Sequence, residues 1–201
     1  YLMDKYFINV QKYDIDFILI WTKSDLIDDE AKEYIEVYKS VGIKSFIISE
    51  KASDINEYDL PIDFLKGKTT ALAGVSGVGK SSLINKMCER KRMEVGSLSK
   101  KIERGKHTTR HSEIFCIDKD TYIYDTPGFS SIELSDMNEE DLESYYREMA
   151  KLSGDCKFNK CSHITEPNCK IKDALSCGKI SKIRYDNYTK IYQELKAKRR
   201  H

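Results

Sequence analysis

Hydrophobic and polar positions divide this chain into short apolar runs and longer stretches of helical period. Phe17 to Trp21, at the end of the run Asp16–Trp21, is continuously apolar and predicts a buried parallel strand. Asp28 or Asp29 then caps a helix to about Ser40, with Gly42 as its stop. Ser45–Ser49 and Thr69–Ala73 read as further strands, and Lys80–Met87 reads as a helix. His111–Asp118 and Thr121–Asp125 flank a Lys119-Asp120 turn and predict a hairpin. Asn138 caps a helix to about Leu152 whose first turn is acidic, which suits the positive end of the helix dipole. Ile180, Ile183, Tyr188, Ile191 and Leu195 mark one face of a last helix. Strands alternating with helices predict an α/β fold.

Between the helix at Lys80 and the hairpin the pattern fails. From Glu89 to Thr109, with Arg110 adjoining, eight Lys/Arg stand against three Glu with weak apolar period, which reads as a mobile basic loop. The charge of the whole chain is only +1, but it is unevenly spread. Residues 1–146 hold 20 Lys/Arg and 27 Asp/Glu, a net of −7, whereas residues 147–201 hold 14 and 6, a net of +8. A basic tail on an acidic body suits a polyanionic partner, although a solubilising surface would show the same balance. With 201 residues, 40% of them hydrophobic, the chain can hold one nucleotide-sized domain and a small appendage. No apolar run is long enough for a membrane span, and no signal-peptide pattern opens the chain. Tyr1 in place of Met reads as a fragment or a processed chain.

Three motifs carry nucleotide chemistry. Gly74-Val75-Ser76-Gly77-Val78-Gly79-Lys80-Ser81 fits GxxxxGK[ST], followed by Ser82. Glycines let backbone N–H groups converge on phosphate oxygens, and the helix beginning near Lys80 adds its dipole. Lys80 would neutralise the β- and γ-phosphates, and the Ser81 hydroxyl suits Mg²⁺. Thr22-Lys23-Ser24-Asp25 is a variant of NKxD: a carboxylate accepts from both the ring N–H and the amino group of guanine, a donor pair that adenine lacks. Thr22 keeps a hydroxyl for tying two loops together where Asn is usual. Asp125-Thr126-Pro127-Gly128 fits DxxG, with Asp125 toward Mg²⁺ through water and the Gly128 N–H toward the γ-phosphate. Thr108 or Thr109 is the candidate second hydroxyl ligand of the ion. Phe129 follows Gly128 where many GTPases have a water-orienting Gln, and an apolar side chain cannot do that work. His107, beside the threonines, is the candidate replacement, with a plain exposed loop histidine as the alternative. Ser49 lies where a base-contacting loop is expected. In ordinary small GTPases the order is phosphate loop, DxxG, NKxD; here the guanine motif comes first, which predicts a circular permutation.

Cys156, Cys161, His163 and Cys169 lie within 14 residues, while Cys88 and Cys116 stand alone in helix and strand contexts. Three thiolates and an imidazole suit tetrahedral Zn²⁺ with no open position, hence a structural site. Cys177 is a fifth, more distant candidate, and reduced free cysteines are the alternative. A nucleotide enzyme works in a reducing compartment, which argues against disulfides.

The order TKSD, GVSGVGKSS, GKHTTR, DTPGF, CKFNKCSHITEPNC and GKISKIRYDNY, spread over nearly the whole chain, resembles the circularly permuted family called ribosome small subunit-dependent GTPase A. The resemblance implies a circularly permuted P-loop GTPase domain at residues 1–135 and a small helical zinc-binding domain at 136–201. It implies GTP hydrolysis to GDP, stimulated by the small (30S) ribosomal subunit, in late maturation of that subunit, with the subunit and its 16S-type rRNA as binding partners. It implies one structural zinc on Cys156, Cys161, His163 and Cys169, nucleotide contacts from Thr22–Asp25 and Gly74–Ser82, and His107 as a switch histidine. A monomer in the bacterial cytoplasm or an organelle, with no membrane partner, follows from the same reading. Family members usually open with a nucleic-acid-binding OB-fold that this sequence does not contain. Tyr1–Val10 reads as the helix after the usual first strand of the GTPase domain. The rival reading is a zinc-dependent RNA-binding module with weak or vestigial GTPase activity.

Overall fold

The computed structural model describes residues 1–48, 62–95, 113–126, 128, 131–134 and 136–199. The chain packs into two compact units: Tyr1–Ile18, Asp28–Ser45 and Ser131–His201 form one, Leu19–Ile27 and Phe46–Ser130 the other.

The second unit carries the strands. Its three-stranded sheet has the order β3 (Thr69–Leu72), β5 (Thr121–Asp125), β4 (Glu113–Asp118). β3 and β5 are parallel, with Leu72 beside Asp125, so the phosphate loop and DxxG leave the same end of the sheet. β4 and β5 form the expected antiparallel hairpin, with a register shift between Cys116 and Asp118. Alternation buries Phe115, Ile117 and Ile123 on one face. α4 (Lys80–Val95) packs on β4 and β5. Leu83, Ile84 and Met87 recur at helical spacing on it and are buried. A short helix, α3 (Ile62–Leu65), precedes β3. β1 (Leu19–Trp21) pairs with β2 (Ser45–Ile47) in a separate two-stranded piece.

The first unit is helical. α1 (Leu2–Lys12) turns Asp4, Phe7 and Ile8 inward. α2 (Asp29–Ser40) is capped by Asp28, whose carboxylate accepts from the Ala31 N–H at 2.8 Å, and Gly42 follows it at φ +81°. A 3-10 helix (Glu139–Tyr145), α5 (Arg147–Ala150), α6 (Lys170–Ser176) and α7 (Lys182–Lys198) complete it. Ile8 joins Leu142, Tyr146, Met149, Ile171, Tyr188 and Ile191 in one apolar cluster. Beside it lies a buried polar network. Arg184 donates to Asp4 and, at 2.8 Å, to Glu148. Asp4 also accepts from Asn187 at 2.8 Å and Tyr38 at 2.9 Å. The guanidinium carbon stands 4.3 Å from the Tyr146 ring centroid. Burial alone would lower the Arg184 pKa, but the Asp4 charge and the Glu148 bond carry it above its usual value, while burial raises Tyr38 and Tyr146.

The elements depart from expectation in three places. The first strand covers Leu19–Trp21 only and is half-buried. α4 runs on to Val95 instead of stopping at Met87, because Glu, Arg, Lys and Met are good helix formers even without an apolar stripe. The expected helix from Asn138 to Leu152 is a 3-10 helix and a separate α-helix. It breaks at Tyr146 (φ −104°, ψ 88°), whose ring is fully buried, and Asn138 makes no side-chain cap bond. Among the described residues, no helix is long and apolar enough to cross a membrane.

Candidate functional site

Among the described residues, two groups of side chains are candidates for chemistry, one in each unit. In the strand-bearing unit, β3 leads into the phosphate loop and the loop into α4. Gly77 and Gly79 take φ +76° and +97°, values that L side chains rarely adopt. The Gly79 carbonyl accepts the first helical bond, from Leu83 N–H at 2.9 Å, so the N–H groups of the opening turn are aimed out of the helix. Lys80 Nζ lies over this loop, donating to the carbonyls of Gly74 (2.9 Å) and Val75 (3.2 Å). A methyl group on Gly128 would stand 2.9 Å from Ser76 N and 3.0 Å from Ser76 Cα, so DxxG and the phosphate loop are in backbone contact. Thr126 holds that end of the sheet, its hydroxyl donating to Leu72 O at 2.6 Å.

The guanine motif meets the same loop. Thr22 Oγ1 donates to Val78 O at 2.7 Å, and Lys23 Nζ to Gly77 O at 3.0 Å. Lys23 itself takes a left-handed conformation (φ 56°) at the head of the short 3-10 turn Ser24–Leu26 that contains Asp25. Three motifs scattered between positions 22 and 128 therefore converge on one loop. Ser81 and Ser82 are exposed in the first turn of α4. Asp125 Oδ1 is buried and, among the described residues, has no hydrogen-bond partner. A buried carboxylate oxygen in that position fits a cation or its water shell. Ser49, His107, Thr108 and Thr109 lie outside the described residues, as do Phe129 and most of the basic stretch after α4.

In the helical unit, Cys156, Cys161, His163 and Cys169 come together. Their donor atoms all lie within 4.8 Å of one another. Nδ1 of His163 stands 3.3 Å from Cys169 Sγ and 3.7 Å from Cys156 Sγ, and the latter two sulfurs are 3.9 Å apart. Donors in a tetrahedron around Zn²⁺, at about 2.3 Å for sulfur and 2.0–2.1 Å for nitrogen, stand roughly 3.5–3.8 Å from each other; the three separations among His163, Cys156 and Cys169 are close to this, and the widest pair of the four would draw in around an ion. Burial pushes the Cys161 thiol up to about 12 and raises Cys169 as well, so these two sulfurs favour thiolates only with a cation beside them. Cys177 is outside this cluster, exposed after α6, with its thiol toward Ala174 O.

Four further side chains support the cluster. Glu166 accepts from the backbone N–H groups of Ser162, Ile164 and Thr165 at 2.8–3.2 Å. Burial would raise its carboxyl, but the Ser162 hydroxyl and these backbone bonds outweigh it and bring it to about 2, so it stays ionised and pins the loop around His163. Tyr185 and Tyr188 on α7 donate to the carbonyls of His163 (2.7 Å) and Ser162 (3.1 Å). Glu143, 20 residues before the histidine, meets His163 Nε2 at 2.6 Å. Glu166 stands inside the quoted CSHITEPNC motif, whereas nothing in the sequence marks Glu143.

The RsgA GTPase family model matches residues 1–135. This chain belongs to the RsgA GTPase family. Proteins named small ribosomal subunit biogenesis GTPase RsgA align along its length. That of Agathobacter rectalis is 43% identical over 202 residues, covering 100% of this chain and 66% of the relative. That of Ruminiclostridium cellulolyticum is 43% identical over 195 residues, covering 97% and 63%. The chain thus spans just under two thirds of the length of these RsgA relatives. Among solved structures, YjeQ from Thermotoga maritima superposes with a TM-score of 0.73 at 32% identity, over 96% of this chain and 65% of that one. YloQ, described as a circularly permuted GTPase, gives 0.73 at 31% identity, over 98% and 63%. The α/β fold with permuted motif order is therefore that of RsgA-type GTPases, with a Cys/His cluster near the C-terminus that can hold a metal ion.

Proposed function

We propose that this chain binds and hydrolyses GTP and acts as a switch in late maturation of the small ribosomal subunit, in a bacterial cytoplasm. The observation that carries the reading is the pair of bonds from Thr22 and Lys23 to the carbonyls of Val78 and Gly77. They tie a guanine-selecting motif to a phosphate loop despite the reversed order of the two along the chain. Relatives bearing the small-subunit name supply the biological setting.

In this reading Asp25 selects guanine, and Ser24 and Ser49 are assigned base contacts. Gly74–Gly79 cradle the phosphates, Lys80 neutralises developing charge on them, and Ser81, Ser82, Asp125 and Thr108 or Thr109 are assigned to the Mg²⁺–phosphate end. Mg²⁺, when bound, would draw charge from the β- and γ-oxygens. The Gly128 N–H answers to the γ-phosphate, and His107 orients the attacking water. Cys156, Cys161, His163 and Cys169 hold one zinc, whose contribution is folding free energy. Residues 1–135 form the GTPase domain and 136–201 the zinc-binding domain of a monomer. The segment past Gly128 leads into the basic, metal-bearing tail, so the nucleotide state is tethered to a surface suited to rRNA.

The deciding experiment measures GTP turnover by the purified chain alone and with small ribosomal subunits titrated in, with Asp25→Ala as control. Turnover that rises with subunits, and GTP affinity that falls at least about tenfold in Asp25→Ala on loss of charged hydrogen bonds, is the expected result. Turnover indifferent to subunits, or subunit binding equal with GDP and a non-hydrolysable GTP analogue, would overturn the switch and favour a metal-dependent RNA-binding module.

A further inference from the structure

The imidazole of His163 is held between two different chemistries. Nδ1 faces Cys169 and Cys156 at 3.3 and 3.7 Å, while Nε2 faces a carboxylate oxygen of Glu143 at 2.6 Å. The ring is buried, whereas the Glu143 side chain is about a quarter exposed (26%). Residue 163 takes φ +61°, and its carbonyl accepts from Tyr185, so the backbone as well as the ring is constrained. A neutral imidazole carries one N–H. With a carboxylate at hydrogen-bond distance from Nε2, the proton belongs there, and the Nδ1 lone pair is left for a cation among the sulfurs.

We propose that Glu143 is a positioning residue of the metal centre: it selects Nδ1 of His163 as the donor and anchors the cluster to the 3-10 helix Glu139–Tyr145. The inference rests on the metal reading of the Cys/His cluster and adds to it a residue outside the ligand motif. Carboxylates in this position fix ring orientation and raise the basicity of the ligating nitrogen, and their loss typically weakens metal binding by roughly 10- to 100-fold. The anchor has a structural consequence. Glu143 lies three residues before Tyr146, whose ring is buried in the apolar core of the same unit. The His163–Glu143 bond thus reaches from the metal cluster to the chain entering that core.

The test is zinc competition against a chromophoric chelator, for the wild-type chain, Glu143→Ala and Glu143→Gln, together with ¹⁵N NMR of His163. Affinity should fall roughly 10- to 100-fold in Glu143→Ala and less in Glu143→Gln, whose carbonyl can still accept the Nε2 proton. The wild-type zinc form should show Nε2 protonated and Nδ1 bound, a signature that needs no variant to fold. Metal bound through Nε2, or equal zinc affinity in all three chains, overturns the proposal. A wild-type chain that takes up no more zinc than Cys156→Ser overturns the metal reading itself, and this inference with it.

Discussion

Position 128 has no room for a side chain. A Cβ there would sit 2.9 Å from Ser76 N, inside any ordinary contact, so the glycine of DxxG is demanded by the approach of the phosphate-loop backbone. Gly128→Ala should therefore weaken GTP binding or turnover on the order of tenfold or more, since overpacking costs about 1–3 kcal/mol. Parallel fluorescence titration and turnover assays would show it, and an unaffected variant would mean that the two loops separate when nucleotide binds. Thr22 makes a finer point. Its hydroxyl bond to Val78 O is the tie that Asn would otherwise supply. Thr22→Val keeps the shape and loses the bond. At about 0.5–1.5 kcal/mol for such a bond, GTP affinity should fall roughly 2- to 12-fold, while selectivity over ATP, which the proposed function assigns to Asp25, should stay. Calorimetric titration with both nucleotides would measure both effects. The motif residues were legible in the sequence because each is a fixed spacing of special residue types. Glu143 was not, because a carboxylate 20 residues from its partner has no local pattern.

Among the elements, the helices were read from period and caps where those signals are local. Asp28 and Gly42 bound α2 as expected, and Ser181 caps α7 through the Ile183 N–H at 3.2 Å. The break at Tyr146 escaped because residues 138–152 contain no Gly or Pro to mark it, while the ring's burial against Tyr188 and Arg184 decides the backbone. The Asp4–Arg184 pair escaped for a related reason: Asp4 sits in the first turn of α1 and looks like a solvent-facing dipole partner. It is wholly buried and bonded from four side chains of α2, α7 and the core. Removing one partner of a buried pair leaves an uncompensated charge and costs about 3–5 kcal/mol. Arg184→Ala should destabilise the helical unit by that order in urea unfolding. Replacing Asp4 and Arg184 together with apolar residues of similar volume should recover much of the loss.

At the scale of the molecule, the chain passes between its two units at residues 18/19, 27/28, 45/46 and 130/131. A boundary at 135 follows the order of motifs along the sequence, whereas packing groups α1 and α2 with the tail that carries the Cys/His cluster. The two divisions predict different outcomes on metal removal. If packing governs cooperativity, chelation should cost hydrogen-exchange protection in α1 and α2 as well as in α6 and α7, leaving β3–β5 protected. Loss confined to residues after 135 would favour the sequential boundary.

By itself the amino-acid order marked the candidate chemistry: motifs suited to cradling phosphate, choosing guanine and gathering a soft metal, running in rotated sequence. Such properties reside in residue type and short spacing, and no folding is needed to read them. Only the tertiary structure decided which distant groups meet. It brought Thr22 and Lys23 to the phosphate loop, Glu143 to the far nitrogen of His163, and Asp4 to Arg184. Those meetings depend on burial and packing of whole elements, where the cost of leaving a polar group unpaired selects its partner, and that selection leaves no trace in local sequence.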